Sequence, residues 1–173
     1  METKDTVGCE EEVIENTCAY QEMVEKADKI VLGFALSAGA TGAVPIPFAD
    51  APLLVSQQAA MMLAINNVFG FEVEQETLKS LAAAALGVSG TTVIGKTVAS
   101  NLLKLIPGAG TIAGGAISAG TAGLITSALG KAYIEVCREI KMGKLNQSDL
   151  TKKIDMLKKA FREQLKRDRE SSL

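Results

Sequence analysis

Two long stretches of the chain carry no charged residue, and they constrain the fold more than any other feature of the sequence. Residues 30–49 and 105–130 each reach the length of about 20 residues that a membrane-spanning helix needs. Both are rich in Ala, Gly, Ser and Thr, and have few of the Leu, Ile and Phe side chains that drive insertion most strongly. Such stretches also suit the central helices of a compact bundle, which are apolar all round. We favour a compact bundle, and leave docking on a membrane and insertion of both stretches open.

Helix signals along the sequence predict an all-α fold, a compact bundle of about five or six helices. A helix over 10–41 is broken by Pro45 and Pro47, and Asp50 is expected to cap the next helix, with Pro52 in its first turn. Gly70 and Gly87 are expected to end the second and third helices. No segment alternates with the period of two that is typical of strands. The predicted helices after the first are 51–69, 74–86, 91–106, 111–142 and 148–169.

Charge is distributed very unevenly between the two ends of the chain. Residues 1–28 hold nine acids and two lysines, a net charge of −7, whereas residues 131–170 hold twelve bases and seven acids, a net charge of +5. We predict one helical domain over 1–173 with an acidic N-terminal helix, an Ala/Gly-rich central helical hairpin, and a basic amphipathic C-terminal helix. The expected buried stripes are Val13, Thr17, Tyr20, Val24, Ala27 and Val31 on the first helix, and Leu150, Ile154, Leu157, Phe161 and Leu165 on the last.

The residue types needed for most enzymatic chemistry are scarce. The chain has no histidine, which removes the commonest general base and the commonest metal ligand. Its three cysteines are odd in number and have neither metal-ligand nor disulfide spacing, so we expect a reducing, cytoplasmic compartment. The acidic N-terminus does not resemble a secretion signal. We therefore predict a protein that is not an enzyme and has no cofactor and no metal.

One segment has the letters of a nucleotide-binding phosphate loop. "GTTVIGKT" places Gly90 five residues before Gly95, Lys96 and Thr97, which matches G-x-x-x-x-G-K-T. However, "LAAAAL" before it favours a helix rather than the expected strand, and the loop interior is bulky and lacks glycine. We interpret the segment as a break between two helices, and keep nucleoside-triphosphate binding as a weaker alternative.

Small residues recur every four positions in "GAGTIAGGAISAGTAG", and form two smooth strips on a helix. Such strips allow another backbone to approach closely. We favour an intramolecular helix contact at the centre of the bundle, and leave self-association and membrane insertion open. The two strips are Gly110, Gly114, Ser118 and Ala122, and Gly115, Ala119, Gly123 and Ser127.

Two further segments resemble a known family. "PIPFADAP", followed by "QQAAMMLAINNVFG", and "NLLKLIPGAGTIAGGAISAGTAGLITSALGKAYI" are similar to the signature of domain-of-unknown-function family 697. The resemblance covers about residues 25–140, and its motif residues here are Pro45, Pro47, Asp50, Pro52, Pro107 and Gly108. This family is the helical segment that follows Era-like GTPase domains, and it also occurs in YcjF-type inner-membrane proteins.

The resemblance implies a partner rather than an activity. Because the chain starts almost directly with the helical region, we expect a stand-alone member of the family and a GTPase domain that acts in trans. Our leading hypothesis is a non-enzymatic interaction module that partners a GTPase, associates with itself, or both, at the cytoplasmic face of a membrane or in the cytoplasm.

The basic C-terminal helix has three interpretations. It is a solvated face, a partner of the acidic first helix, or a contact for an anionic membrane, where each base contributes about 1 kcal/mol. Nucleic acid is disfavoured because the chain is net acidic and no aromatic residues are interleaved with the bases. The bases are Lys152, Lys153, Lys158, Lys159, Arg162, Lys166, Arg167 and Arg169. Polar residues of the second helix form either interhelical hydrogen bonds or a lined cavity; they are Ser56, Gln57, Gln58, Asn66 and Asn67.

Overall fold

A computed structural model describes residues 5–41, 51–87 and 119–170, and every regular element in these residues is an α-helix. The all-α prediction and the helical bundle are confirmed. The predicted helix 91–106 and the first part of the predicted helix 111–142 lie outside the described residues. The five helices are α1 (Asp5–Thr41), α2 (Ala51–Phe69), α3 (Gln75–Ala85), α4 (Ala119–Lys141) and α5 (Leu150–Glu170).

Helix ends follow the local signals of the sequence. α2 stops at Gly70 and α3 stops before Gly87, and both glycines have a positive φ, of 72° and 75°, which residues with a Cβ rarely adopt. Before α5, the Asp149 Oδ1 accepts a hydrogen bond from the Lys152 backbone N–H at 3.0 Å. Asp149 therefore caps α5.

The helix α4 lies at the centre of the bundle. It packs against α1, α5 and α2, while α3 packs against α2 and α5. The basic α5 packs mainly against α4 and α3, whereas the acidic α1 packs mainly against α4 and α2. The largest fully buried side chains of the shared core include Phe69, Phe161, Met61, Met62, Ile65, Leu78, Leu81, Leu129 and Leu157.

Two glycines set the close approach of α1 and α4. A Cβ on Gly130 would lie 2.5 Å and 2.7 Å from the two methyl groups of Val31, and a Cβ on Gly123 would lie 3.2 Å from the Ala35 carbonyl oxygen. Since residue numbers rise along α1 as they fall along α4, the two helices are antiparallel. Gly123 of the small-residue strips therefore lies against α1 within the molecule.

The buried stripes are largely confirmed where side chains are described. On α1, Ala27 and Val31 are buried, and on α5, Leu157 and Phe161 are buried. Their predicted companions Tyr20, Val24, Ile154 and Leu165 are half-buried against the core, whereas the side chains of Val13 and Thr17 lie outside the description. The prediction for Leu150 is wrong, because this first residue of α5 is 39% exposed and Leu145 of the preceding turn packs on the core instead.

Candidate functional site

Polar side chains of α2 cross the core to reach α4. The Gln58 Nε2 donates a hydrogen bond to the Thr126 Oγ1 at 2.9 Å, and both residues are fully buried. Two turns further on, the Tyr133 hydroxyl donates to the Asn66 Oδ1 at 2.9 Å. These contacts identify Gln58 and Asn66 as interhelical hydrogen-bond partners, which the sequence left open. They also show that α2 and α4 run parallel.

A third group joins this polar seam at Asn66. The Cys137 Sγ lies 3.8 Å from the Asn66 Oδ1, in a contact that is itself a weak hydrogen bond. Burial raises the pKa of the Cys137 thiol to about 12, and burial also raises the pKa of the Tyr133 hydroxyl above its usual range. Both groups therefore stay neutral and protonated at physiological pH. A buried neutral thiol is unreactive, so the cluster is suited to holding helices together.

Two amide groups of the seam keep one unpaired atom each. The Gln58 Oε1 and the Asn66 Nδ2 are buried and have no hydrogen-bond partner among the described residues. Each such atom costs free energy, in the order of 1–3 kcal/mol when it stays unsatisfied. The seam therefore orients α2 against α4 at some expense of stability.

The basic residues of α5 divide into a buried part and an exposed part. Lys153 is only 5% exposed, because its stem packs into the core, and burial lowers the pKa of its ammonium group. The interpretation of the C-terminal bases as one solvated face is therefore wrong for Lys153. Four of the other bases line a shallow surface groove of about 540 Å³, whose lining residues are Asp155, Lys158, Lys159, Arg162, Glu163 and Lys166. We call this surface the basic stripe.

In contrast to the basic stripe, the helices at one end of the bundle carry no charged residues. We call this end the charge-free half. It consists of α1 after Lys29, α4 before Lys131, and the part of α2 up to Met61, which lies against Gly130; α2 has no charged residue. Because Gly130 packs on Val31, the last charge of α1 and the first charge of α4 lie at one level. Leu32, Leu36 and Leu124 project from this half with exposed fractions of 59%, 66% and 45%.

Several predicted site residues lie outside the described parts of the chain. These are the phosphate-loop residues Gly90, Gly95, Lys96 and Thr97, the strip residues Gly110, Gly114, Gly115 and Ser118, and the motif residues Pro45, Pro47, Asp50, Pro107 and Gly108. Pro52 lies in the first turn of α2, and Ala119 and Ala122 lie in the first turn of α4.

Two properties of the described residues bear on metal binding and on membrane insertion. No three of their His, Cys, Asp and Glu side chains are grouped as a metal ion would require. None of the described helices combines the length and the apolar character needed to cross a bilayer. Residues 42–49 and 105–118 of the two charge-free sequence stretches are not among those described.

Comparison with known families decides the relationship that the motifs indicate. The model of the family described as a domain of unknown function, DUF697, matches residues 13–163. The chain belongs to this family. The match is longer than the stretch 25–140 on which the resemblance depends, and it takes in most of α5 of this DUF697 member.

A curated protein from Magnetospirillum gryphiswaldense is also similar to this DUF697 chain. It is named magnetosome membrane protein 22, and the two are 28% identical over 109 residues, which is 63% of this chain and 56% of the relative. The matched part therefore spans little more than half of the relative's length. No solved structure matches the chain.

Three features of these surfaces have no signal in the sequence. The burial of Lys153, the pairing of Asn66 with Tyr133, and the common level of Lys29 and Lys131 all depend on the register between helices that are far apart in the chain. A partial signal exists for the buried amides, because Gln58 and Asn66 are eight residues apart and so share one face of α2.

Proposed function

We propose that this DUF697 protein is a non-enzymatic helical interaction module that binds an anionic membrane surface and there engages a protein partner. The observation that carries the membrane part is the basic stripe of α5. Lys159, Arg162 and Lys166 are exposed and recur on the side of α5 that faces away from buried Leu157 and Phe161. Each base near an anionic leaflet contributes about 1 kcal/mol.

Two further observations support this proposal. The curated relative is named as a membrane protein, and its similarity to this chain supports the proposed membrane association. Within the described residues, the largest pKa increases fall on Tyr133 and Cys137, which are buried and bonded to neighbours rather than placed in an open cleft. This pattern favours a role in packing over a role in catalysis.

Co-sedimentation with vesicles tests the membrane part. The protein is expected to sediment with vesicles of phosphatidylglycerol and phosphatidylcholine in equal parts, to stay in solution with phosphatidylcholine alone, and to be released by salt. The variant Lys159→Glu/Arg162→Glu/Lys166→Glu is expected to lose this binding. If the wild-type protein ignores the anionic vesicles at low salt, the proposal is refuted.

A matched control separates the basic stripe from net charge. The variant Lys26→Glu/Lys79→Glu/Lys144→Glu changes the charge by the same amount outside α5, at two exposed positions and at the half-exposed Lys79. Each of the three lysines has a surface ion pair of little energetic weight. It is expected to keep most of the vesicle binding. Equal loss in both variants would show that net charge, and not the stripe, determines binding.

The partner part of the proposal comes from the family resemblance, which points to a GTPase domain in trans, with a second copy of the chain as the alternative. Chemical cross-linking in native cells, followed by mass spectrometry, is expected to recover a protein that contains a GTPase domain. Sedimentation equilibrium tests self-association. A chain that is monomeric and cross-links to no GTPase would contradict this part and leave the membrane part standing.

A further inference from the structure

We propose that the charge-free half enters one leaflet of the bilayer, so that the bundle is held as a monotopic membrane protein. This inference rests on the proposed membrane association and adds the part of the molecule that makes the apolar contact. It differs from the basic stripe in its chemistry, because the charge-free half would contact acyl chains rather than phosphate groups. The argument depends on length, on exposed leucines, and on where the charges begin.

The length of the charge-free half matches one leaflet. In α1 it runs over residues 30–41 and in α4 over residues 119–130, side by side and antiparallel. At a rise of about 1.5 Å per residue, each stretch is about 18 Å long. The hydrocarbon of one leaflet is about 15 Å deep, half of the bilayer core. The uncharged stretches of these two adjacent helices are therefore about as long as one leaflet is deep.

The exposed side chains of the charge-free half include leucines, which favour contact with acyl chains. Leu32 and Leu36 are four residues apart and so lie on one face of α1, and Leu124 projects from the adjacent part of α4. Leucine is among the residues that favour insertion most strongly. The exposed hydroxyl of Ser37 is already satisfied, because its Oγ donates to the Phe34 carbonyl oxygen at 2.9 Å.

Charges begin together at the base of this half. Lys29 and Lys131 are exposed and lie at one level, and Lys131 pairs with Asp168 of α5 at 3.6 Å. Lys166 and Arg167 are exposed within one turn of that contact. The acids within about one turn of these residues are Glu25 and Asp28 on α1, Glu135 on α4, and Asp168 and Glu170 on α5. Long basic side chains at the edge of an apolar region reach the lipid phosphates while their stems stay in the apolar layer.

The acidic part of α1 points the other way. Eight of the nine acids of residues 1–28 lie on α1 before Lys29, and α1 continues as one helix from Asp5 to Thr41, so these eight acids run away from the charge-free half. An anionic surface repels them and attracts the bases at the boundary. The charge distribution of the molecule therefore favours one orientation on an anionic leaflet, with the charge-free half toward the lipid.

Fluorescent labels at two positions on α1 test this orientation. In a Cys9→Ser/Cys18→Ser background, with the buried Cys137 retained, one protein carries bimane at Leu36→Cys and the other at Glu25→Cys. The two positions are eleven residues apart, on one face of α1 and about 16 Å along its axis, one in each half of the molecule. With phosphatidylglycerol and phosphatidylcholine vesicles that contain brominated acyl chains, the label at 36 is expected to be quenched and the label at 25 to be unaffected.

A second variant measures the apolar contact directly. Leu32→Ser/Leu36→Ser removes two exposed side chains, so the thermal unfolding temperature is expected to stay close to that of the wild type. The vesicle partition coefficient is expected to fall about tenfold or more, because apolar contact area is lost. Unchanged partitioning would overturn the inference.

The outcomes separate this inference from the proposed function. Failure of the wild-type protein to bind any vesicle refutes both. Binding with no quenching at 36, or with equal quenching at both positions, overturns the leaflet entry and leaves the membrane association intact. If the label at 36 is shielded without vesicles, the inference is also overturned. Shielding that grows with protein concentration would then identify a second copy as the occupant, and shielding independent of concentration would identify another part of the same chain.

Discussion

Replacing Gly130 by alanine is expected to destabilise the bundle, although alanine is the better helix former. A Cβ at this position would meet both methyl groups of Val31, at 2.5 Å and 2.7 Å, and the Met61 Sδ at 3.1 Å. Val31 is buried, and a β-branched side chain has one strongly preferred rotamer in a helix, so it cannot swing away. The two helices must therefore separate or Val31 must strain.

The magnitude follows from two opposing terms. Alanine in place of glycine in a helix gains about 0.5–1 kcal/mol, and overpacking of a filled core costs about 1–3 kcal/mol. The matched control is Gly33→Ala, because Gly33 lies in the interior of α1 and a Cβ there would have no atom within 4 Å. Gly33→Ala is expected to stabilise the protein. The difference between the two variants measures the overpacking term alone.

Urea and thermal unfolding followed by circular dichroism provide the assay. For a chain of this length, 1 kcal/mol corresponds to about 2–4 °C in Tm. Gly33→Ala is expected to melt above the wild type, and Gly130→Ala below Gly33→Ala by about 1–3 kcal/mol. In a Val31→Ala background most of the cost of Gly130→Ala should disappear, since both clashing methyl groups are gone and only the 3.1 Å approach to the flexible Met61 side chain remains. If Gly130→Ala stabilises the wild type as much as Gly33→Ala does, the close packing of α1 on α4 is refuted.

Three further predictions concern the polar seam and the cap of α5. Tyr133→Phe leaves the Asn66 Oδ1 with its thiol contact and is expected to lower the free energy of unfolding by about 1 kcal/mol in urea titrations. Because burial raises the pKa of Cys137 to about 12, its stabilising contribution is complete below the unfolded value of 9.0 and is lost as the pH rises from there toward 12. Cys137→Ala should therefore flatten the alkaline fall of Tm. Asp149→Ala removes the cap of α5 and should lower Tm at pH 7 more than at acidic pH, because hydrogen bonds from Lys152 lower the pKa of this carboxyl and its contribution disappears on protonation.

The parts of the fold that depend on local chemistry are predictable from the sequence. Gly70 and Gly87 end their helices because only a residue without a Cβ easily adopts a positive φ, and Asp149 caps α5 through a bond to a residue three positions away. The apolar spacing on α1 and α5 likewise identifies Val31 and Phe161 as core residues, since a helix face is determined by positions three and four apart.

The parts that depend on register between distant helices are not predictable in this way. Whether Asn66 bonds to another helix or lines a cavity is decided by where Tyr133 falls on α4, 67 residues away. Lys153 has the same charge as its neighbours on α5, yet it is the position that faces the core. Lys29 and Lys131 lie at one level because Val31 packs on Gly130, and this contact sets the register of α1 against α4.

The central place of α4 has a consequence for how the chain is made. The helix that α1 mainly packs against, α4, is synthesised roughly 100 residues after α1. At synthesis rates of about 5–20 residues per second, the interval between the two helices is about 5–20 s. During that time, of the described helices already made, α2 is the main one that the core face around Ala27 and Val31 can pack against. The acidic residues 1–28 precede this face on the ribosome, and their mutual repulsion opposes association of neighbouring nascent chains. This repulsion is expected to keep neighbouring chains apart during the interval before α4 emerges.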